Sequence, residues 1–291
     1  MPSLNPSQSS LVLAGGLGRL QAQSDAATAR VSSGRRIDRP AADVAGAGMA
    51  AKLDAQQARL RGVQVNLQNG VSRMQVTFGQ LDAVGKIVSR MSEIGALNAN
   101  TTQDSVSRGL YQVEFTQLQD QLRQMIGGTT AQIGGPADVE PSATFNRTPL
   151  FGPGSGETFT IGLQSDEQLT LPALDLTLGD IGSLIRQDAS GAYTANLADP
   201  AISSTLAGAI GQASDSLASV GAVQSRLEAA GRVAQTASTN HEAALSVIRD
   251  ADVAQDVTAL SRLQILTEGH TAMLAQAREA SAKLISLLSR N

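Results

Sequence analysis

Cysteine and tryptophan are absent from this 291-residue sequence, and aromatic residues make up only 2% of it. Without cysteine the chain forms no disulfide and performs no thiolate chemistry. An enzyme cleft usually draws on more aromatic side chains than this chain has. The apolar share is nevertheless an ordinary 42%. Ala, Leu, Gln and Ser are abundant instead, which is typical of long helices packed side by side.

Large clusters of basic residues are also lacking. The net charge is -4, and no basic cluster is larger than Arg35-Arg36, which argues against a nucleic-acid partner. No positive charge precedes Arg19, and the apolar run at residues 11–18 is short and broken by glycine. This N-terminus indicates neither a secretory signal nor a membrane span. We expect either a cytoplasmic protein or one exported by a route that neither reads nor removes such a signal.

The last forty residues carry apolar side chains at steps of three or four, the period of one helix face. We expect Asp250 to cap this helix and His270 to be a polar gap in its stripe. An apolar stripe at a chain end must be covered by another element or another molecule. Its members are Val253, Val257, Leu260, Leu263, Leu266, Met273, Ala277, Ala280, Leu284 and Leu287.

Residues 1–31 predict a weak first helix. Three glycines interrupt it, and each costs roughly 1 kcal/mol relative to alanine, so we expect this segment to be largely disordered alone. Its apolar face consists of Leu13, Leu17, Leu20, Ala27 and Val31. Residues 32–42 follow as a connector, in which Gly34 and Pro40 are poor helix-interior residues. We expect Gly34 to adopt positive φ there.

A very long helix is predicted from about Asp43 to Leu97. At 1.5 Å per residue it spans roughly 80 Å, which indicates a rod. Its stripe consists of Met49, Leu53, Leu60, Val63, Leu67, Val71, Met74, Phe78, Leu81, Val84, Val88 and Met91, broken by Gln56. Asp104 is expected to cap a second helix, and Gly127-Gly128 to end it.

Residues 129–200 are rich in Gly, Pro, Thr and Asp, and their alternating runs at 159–163 and 174–178 predict a small β-rich insert. Helix returns from about Ile202 to the mid-240s. The chain therefore runs out along a rod and back, so that both terminal helices lie at one end. We predict a mainly α fold: an elongated antiparallel rod of coiled-coil-like helices with a β-hairpin insert and paired terminal helices.

The predicted N-terminal core helix and its connector occupy residues 1–42, and the predicted C-terminal core helix occupies residues 249–291. Rod helices occupy 43–128 and 201–248, and the insert occupies 129–200.

Short motifs near both ends resemble bacterial flagellin. They run in the family's order and cover about two-thirds of the chain. The N-terminal motifs are Val31-Ser-Ser-Gly-Arg-Arg-Ile37, Ala41-Ala-Asp-Val-Ala-Gly46, Asn66-Leu-Gln-Asn-Gly70, Arg90-Met-Ser-Glu-Ile94, Glu114 and Thr144-Phe-Asn-Arg-Thr-Pro-Leu150. The C-terminal motifs are Val220-Gly-Ala-Val-Gln-Ser-Arg-Leu-Glu228, Asn240, Ile248-Arg-Asp-Ala-Asp-Val-Ala254 and Ala272-Met-Leu-Ala-Gln276.

The resemblance implies a minimal flagellin without large outer domains, exported without a cleaved signal and polymerised into an extracellular filament used for motility. It implies that self-assembly uses Leu13, Leu17, Leu20, Val31, Val257, Leu260, Leu263, Leu266, Met273, Leu284 and Leu287, with Gly34, Arg35 and Ile37 as connector. Implied partners are further copies of the chain, an export chaperone, and the filament cap and hook–filament junction proteins. Membrane insertion is not implied.

Two alternatives stay open. The hook–filament junction protein shares this architecture and both end patterns in degraded form, although the blocks at 249–252 and 221–224 favour flagellin. A secreted enzyme could carry its site in residues 129–200, but the lack of His and Cys there argues against it.

No catalytic, cofactor or metal site is predicted. His241-Glu242 begins like a zinc-protease helix motif, but position 245, where the second histidine is needed, is Leu245. Arg90 and Glu114 match positions that contact the animal innate receptor in some flagellins. Since Ser89, Ser92 and Ile94 depart from the commonest pattern there, we favour a solvated or filament-interface face. Asn100 and Asn146 fit the Asn-glycosylation pattern, which also arises by chance.

Overall fold

The computed structural model describes residues 6–100, 102, 104–162, 166–171 and 173–288, without the side chains of 6–10, 281 and 284–288. Helices dominate this part of the chain, as predicted. In order, the elements are α1 (Pro6–Ser33), α2 (Val44–Asn98), α3 (Ser105–Ile126), α4 (Thr130–Ile133), β1 (Thr144–Phe145), β2 (Thr148–Pro149), β3 (Glu157–Thr160), β4 (Gln168–Leu171), α5 (Gly179–Ile185), α6 (Ile202–Arg249) and α7 (Val253–Leu288).

The chain divides into two compact units. The first, called the terminal unit below, comprises Met1–Ala58 and Thr239–Asn291. The second, called the central unit, comprises Arg59–Ser238. The helices α2 and α6 contribute to both units. The hydrophobic core cluster belongs to the central unit, where buried side chains of α2, α3 and α6 meet those of the insert.

In the central unit α2 presents its predicted stripe to the core. Leu60, Val63, Leu67, Met74, Leu81, Val84, Val88 and Met91 are buried, whereas Phe78 is 46% exposed. Two glycines of α2 bring α6 close, since a Cβ at Gly70 would lie 3.3 Å from the Leu227 side chain and one at Gly95 would lie 3.1 Å from that of Leu206. The third helix adds Phe115, Leu122 and Ile126 to this core.

The ends of α3 follow the sequence prediction. Asp104 accepts a hydrogen bond from the amide of Ser107 (2.9 Å), as expected of an N-cap residue. Hydrogen bonds from the hydroxyl and then the amide of Ser107 hold the pKa of Asp104 below its usual value. At the other end Gly127 has φ +66°, and its amide donates to the carbonyl of Arg123. Local chemistry was sufficient to place both ends.

The insert is only partly as predicted. Two separate antiparallel hairpins, β1–β2 and β3–β4, are its strands, and α4 and α5 are short helices. The expected strand at 174–178 is wrong. Asp175 instead accepts hydrogen bonds from the amide and hydroxyl of Thr177, forming a turn that leads into α5. Leu174 and Leu176 are buried in this turn, which explains the strand-like alternation.

A buried arginine joins the insert to α3. The Arg123 guanidinium donates to the carbonyl oxygens of Ile133 (2.8 Å), Gly134 (2.7 Å) and Ile185 (2.8 Å). Burial lowers the pKa of Arg123 below its usual value. One turn earlier, Gln119 donates from Nε2 to the carbonyls of Leu184 and Ala195. These side chains fix the loops on α3 because buried carbonyls need donors.

We expect Arg123→Met to destabilise the central unit by roughly 3 kcal/mol, because several buried carbonyls lose their donors. The measurement is urea unfolding followed by circular dichroism. Arg226→Met, at an exposed position of α6, is the matched control and should change stability little. Equal effects from both substitutions would show that Arg123 does not hold the insert.

Candidate assembly site: the terminal helices and their connector

The first and last helices pack against each other in the terminal unit. The Arg30 guanidinium donates from Nε (3.1 Å) and Nη2 (2.8 Å) to Oδ1 of Asp256. The contact between α1 and α7 is called the seam below. At its other end, a Cβ on Gly16 would lie 3.4 Å from the His270 imidazole. Residue numbers therefore rise along α1 as they fall along α7, so the two helices are antiparallel.

The Arg30–Asp256 ion pair is only partly exposed, with 31% and 16% of the two side chains accessible. The hydrogen bonds that Arg30 donates to Asp256 raise the pKa of Arg30, burial opposes them to a smaller extent, and the negative charge of Asp256 adds to the rise. The guanidinium therefore stays charged. This pair fixes which positions of α1 and α7 lie opposite each other.

The face of α1 that α7 covers is the predicted one. Ala27 is buried, with 1% of its surface exposed, and Leu13, Leu17, Leu20 and Val31 are partly buried. His270 lies on the facing side of α7, where its Nδ1 approaches the carbonyl of Leu266 at 3.1 Å. The missing side chain of Gly16 leaves room for this imidazole, which gives one of the predicted weak points of α1 a packing role.

Only part of the predicted stripe of α7 is covered within the terminal unit, and the partly buried face of this helix includes residues outside the stripe. Its partly buried positions are Asp256, Ala259, Leu260, Leu263, Thr267, His270, Leu274 and Ala277. Val257, Leu266 and Met273 are exposed. The physical reason is that the predicted series takes three consecutive steps of three from Val257, and each such step turns the position back around a helix of 3.6 residues per turn.

Apolar side chains remain uncovered on the outer sides of both terminal helices. Leu11 and Val12 of α1 are more than 70% exposed. On α7 the exposed set is Val253, Val257, Ile265, Leu266 and Met273. Leu284 and Leu287 lie outside the described side chains. An apolar surface of this extent on paired helices is typical of an interaction surface.

The connector lies against the junction between α6 and α7. Gly34 has φ +66°, as predicted, and its carbonyl accepts from the amide of Ala251 (3.0 Å). Arg35 forms an antiparallel bridge with Asp250. The Arg36 amide donates to the carbonyl of Arg249 (2.7 Å). Both linkers of the terminal unit are thus held together by backbone hydrogen bonds.

Arginine side chains reinforce this junction. The Arg36 guanidinium donates from Nε (3.2 Å) and Nη2 (2.7 Å) to the carbonyl of Ile248, one of the carbonyls that the end of α6 leaves without an intrahelical donor. Arg249 reaches Asp54 and Asp250 at 3.5 and 3.4 Å. Ile37, the third predicted connector residue, is partly buried.

The predicted cap of α7 is also wrong. Asp252, rather than Asp250, precedes the helix and accepts a hydrogen bond from the amide of Gln255 (3.1 Å). Asp250 lies two residues before Asp252 and forms a backbone bridge with Arg35. Both residues suit a helix start by type. The pairing of the two linkers decides which of them caps the helix. Residue types alone do not reveal that pairing.

Arg90 and Glu114 lie in the central unit and bind each other. The Arg90 guanidinium donates from Nε (2.8 Å) to Oε1 of Glu114 and from Nη1 (2.7 Å) to Oε2 of Glu93. These carboxylates raise the pKa of Arg90. All three side chains are exposed, so the ion pairs contribute little to stability.

His241 and Leu245 lie on α6, and Leu245 is buried. Within the described residues, no group of three or more His, Cys, Asp or Glu side chains is placed to hold a metal ion. In the same part of the chain, no helix is both long enough and apolar enough to cross a membrane.

Sequence reasoning missed four contributors to the terminal unit: Arg30, Arg36, Asp252 and Asp256. Each belongs to a motif or helix that was recognised. The partners of Arg30, Arg36 and Asp256 lie more than 200 residues away along the chain, whereas Asp252 caps α7 locally through the amide of Gln255. A charged residue at a seam position of each predicted helix was the available signal. It indicates a pair only once the antiparallel register is known.

Comparison with known proteins gives a consistent result at both ends. The chain matches the bacterial flagellin N-terminal helical region over residues 4–132 and the C-terminal helical region over 204–288. It is 31% identical to the flagellar filament 30.7 kDa core protein of Treponema maltophilum, covering 89% of this chain and 90% of that protein. A flagellin of Halalkalibacterium halodurans is 30% identical, with 91% and 92% covered. Flagellin FlaB1 of Treponema pallidum is 29% identical over 98% of this chain.

We expect Gly34→Val to alter filament shape or block assembly, while the helix content of the monomer stays nearly unchanged. A Cβ at Gly34 would meet no atom within 4 Å, so the effect comes from forcing a β-branched residue to positive φ. Circular dichroism of the monomer and electron microscopy of assembled protein measure the two properties.

Gly48→Val is the matched control, since a Cβ there also meets nothing within 4 Å and its φ is helical. Normal filaments from Gly34→Val, or equal damage from both variants, would mean that the connector conformation is passive.

Proposed function

This chain belongs to the bacterial flagellin family, and we propose that it acts as a structural subunit of the flagellar filament through its terminal helices. The observation that carries the proposal is the uncovered apolar surface of α1 and α7. The relatives are named filament core proteins and flagellins, which favours a filament subunit over a hook–filament junction protein.

The self-assembly residues divide into two sets in this proposal. Leu13, Leu17, Leu20, Val31, Leu260 and Leu263 are partly buried in the seam and hold α1 against α7. Val257, Leu266 and Met273 are exposed and meet neighbouring subunits. Leu284 and Leu287 are proposed to join this second set. Packing in the seam positions the exposed apolar residues, and neighbouring subunits then cover them in the polymer.

Energies of burial support this division. Fully burying a large aliphatic side chain is worth roughly 1.5–3 kcal/mol, and half-burial realises only part of that. Ordering each residue opposes folding by roughly 1–2 kcal/mol of backbone entropy. In the monomer these contributions to the terminal pair are nearly balanced. In a filament, neighbours cover the remaining apolar surface, so ordering and association are coupled.

The family membership also supports a route and partners. We propose export to the extracellular filament through the flagellar channel without a cleaved signal. A cytosolic chaperone binds the C-terminal helix before export, and the cap and hook–filament junction proteins contact the ends of the polymer. The chain is proposed to be non-enzymatic because its family is a structural one. Receptor contact at Arg90 and Glu114 stays a prediction.

Deleting residues 251–291 should abolish polymerisation and leave thermal unfolding of the central unit almost unchanged, because the hydrophobic core cluster lies within that unit. Calorimetry and electron microscopy after salt-induced assembly are the measurements. Long filaments from the truncated chain, or a Tm lower by tens of degrees, would contradict the proposed role of α7.

A single substitution sharpens this test. Leu266→Asp changes an exposed residue of the monomer but introduces a carboxylate into the proposed contact between subunits. Polymerisation should then be lost without a change in monomer unfolding. Gln264→Asp, also exposed on α7, adds the same charge and should still assemble.

A further inference from the structure

Methionine is the only sulfur-containing residue of this chain, which has six methionines and no cysteine. All of them except the initial one lie in the described part of the chain. Met74 and Met91 are fully buried in the core cluster, and Met125 packs against it. Met49 and Met273 are 58% and 60% exposed. Because exposure governs oxidation, a dissolved oxidant reaches these two thioethers first among those described.

The surroundings of Met273 leave its side chain open to solvent on the outer side of α7. Leu266, two turns earlier on the same side of the helix, is itself 44% exposed. One turn before Met273 is Gly269, and a Cβ there would meet no atom within 4 Å. A helical side chain lies over the turn that precedes its own Cα. The missing side chain of Gly269 therefore leaves open the space beside the Met273 thioether.

Met273 also belongs to the apolar set that the proposed function places against neighbouring subunits, whereas Met49 lies on α2, outside both terminal helices. A methionine suits such a contact because its unbranched, polarisable side chain adapts to the surface that it meets. A leucine offers a similar apolar area without an oxidisable atom. The sulfur at position 273 thus adds a chemical sensitivity that packing does not require.

We propose that Met273 is a redox-modification site, at which a hydroperoxide oxidises the thioether of the free subunit to a sulfoxide and so prevents polymerisation. This inference rests on the proposed function. With hydrogen peroxide, the sulfur lone pair attacks one peroxide oxygen and the O–O bond breaks. That oxygen forms the new S–O bond, and the other leaves as water with both protons. Sulfur loses the two electrons that the peroxide gains.

Oxidation at this position acts on polymerisation and leaves folding alone. The sulfoxide oxygen of a free subunit stays in water, because the side chain is exposed. In the filament an apolar neighbour covers the same oxygen, and a polar group buried without a hydrogen-bond donor is costly. The neighbour equally shields the thioether of an assembled subunit. A hydroperoxide therefore inactivates free subunits and spares finished filament, and sulfoxide reductases, one for each epimer, reverse the change.

The first test oxidises the full-length monomer with hydrogen peroxide and removes the peroxide with catalase. Mass spectrometry of proteolytic peptides measures oxygen uptake at each methionine, and light scattering follows salt-induced polymerisation. Oxidation of Met273 should raise the critical concentration roughly tenfold or more, since a tenfold change requires the loss of only about 1.4 kcal/mol of contact energy. The Tm of the monomer should stay unchanged. Filaments treated in the same way should oxidise far more slowly at Met273.

Matched variants separate the two exposed methionines. Met273→Leu should polymerise and become insensitive to peroxide, whereas Met49→Leu should remain as sensitive as the unmodified chain. Met273→Gln places a polar side chain of similar length in the contact and should polymerise poorly without any peroxide. Met49→Gln should assemble normally. Treatment of oxidised Met49→Leu with both sulfoxide reductases and dithiothreitol should restore its assembly.

Every other outcome is decisive. Polymerisation of Met273-oxidised monomer at an unchanged critical concentration would overturn the modification site and leave the filament function standing. Equal peroxide sensitivity of Met273→Leu and the unmodified chain would overturn it too, as would equal oxidation rates in monomer and filament. If Met273→Leu does not polymerise at all, the repair of oxidised Met49→Leu decides, because recovery supports the site and its absence after reduction refutes it. Failure of the untreated chain to polymerise would instead contradict the function itself.

Discussion

The seam between α1 and α7 is too narrow to cover the apolar side chains of either helix. One face of each helix is partly buried, Ala27 is the fully buried apolar residue of the seam, and Leu11 and Ile265 stand in solvent. Among the described residues, the Arg30–Asp256 ion pair and the contact of His270 with Gly16 mark the register of the two helices. The pairing of α1 with α7 therefore leaves apolar surface on both helices exposed to solvent.

The central unit is stabilised differently. Its long helices bury their stripes within the chain, and the insert is attached through buried donors such as Arg123 and Gln119. Buried charge on Arg123 is tolerated because the surrounding carbonyl oxygens accept its hydrogen bonds. One chain thus combines a self-sufficient core with a terminal pair whose cover is incomplete, and this difference separates folding from association.

The sequence was most informative where structure depends on near neighbours. Asp104 and Gly127 end α3 through contacts within a single turn, and Gly34 takes positive φ in a local bend. It was least informative where a distant partner decides. Asp250 and Asp252 suit a cap equally by type, and the burial of Leu174 and Leu176 in a turn imitates a strand. The face of α7 follows from the register with α1, which apolar spacing alone does not determine.

The Arg30–Asp256 pair spans 226 residues of chain. Closing so large a loop carries an entropy cost that grows with the logarithm of its length, and contacts of this separation form slowly. During synthesis Arg30 leaves the ribosome long before Asp256 exists. The two terminal helices can consequently pair only after almost the whole chain has been synthesised, so the contact that joins the ends of the molecule forms late.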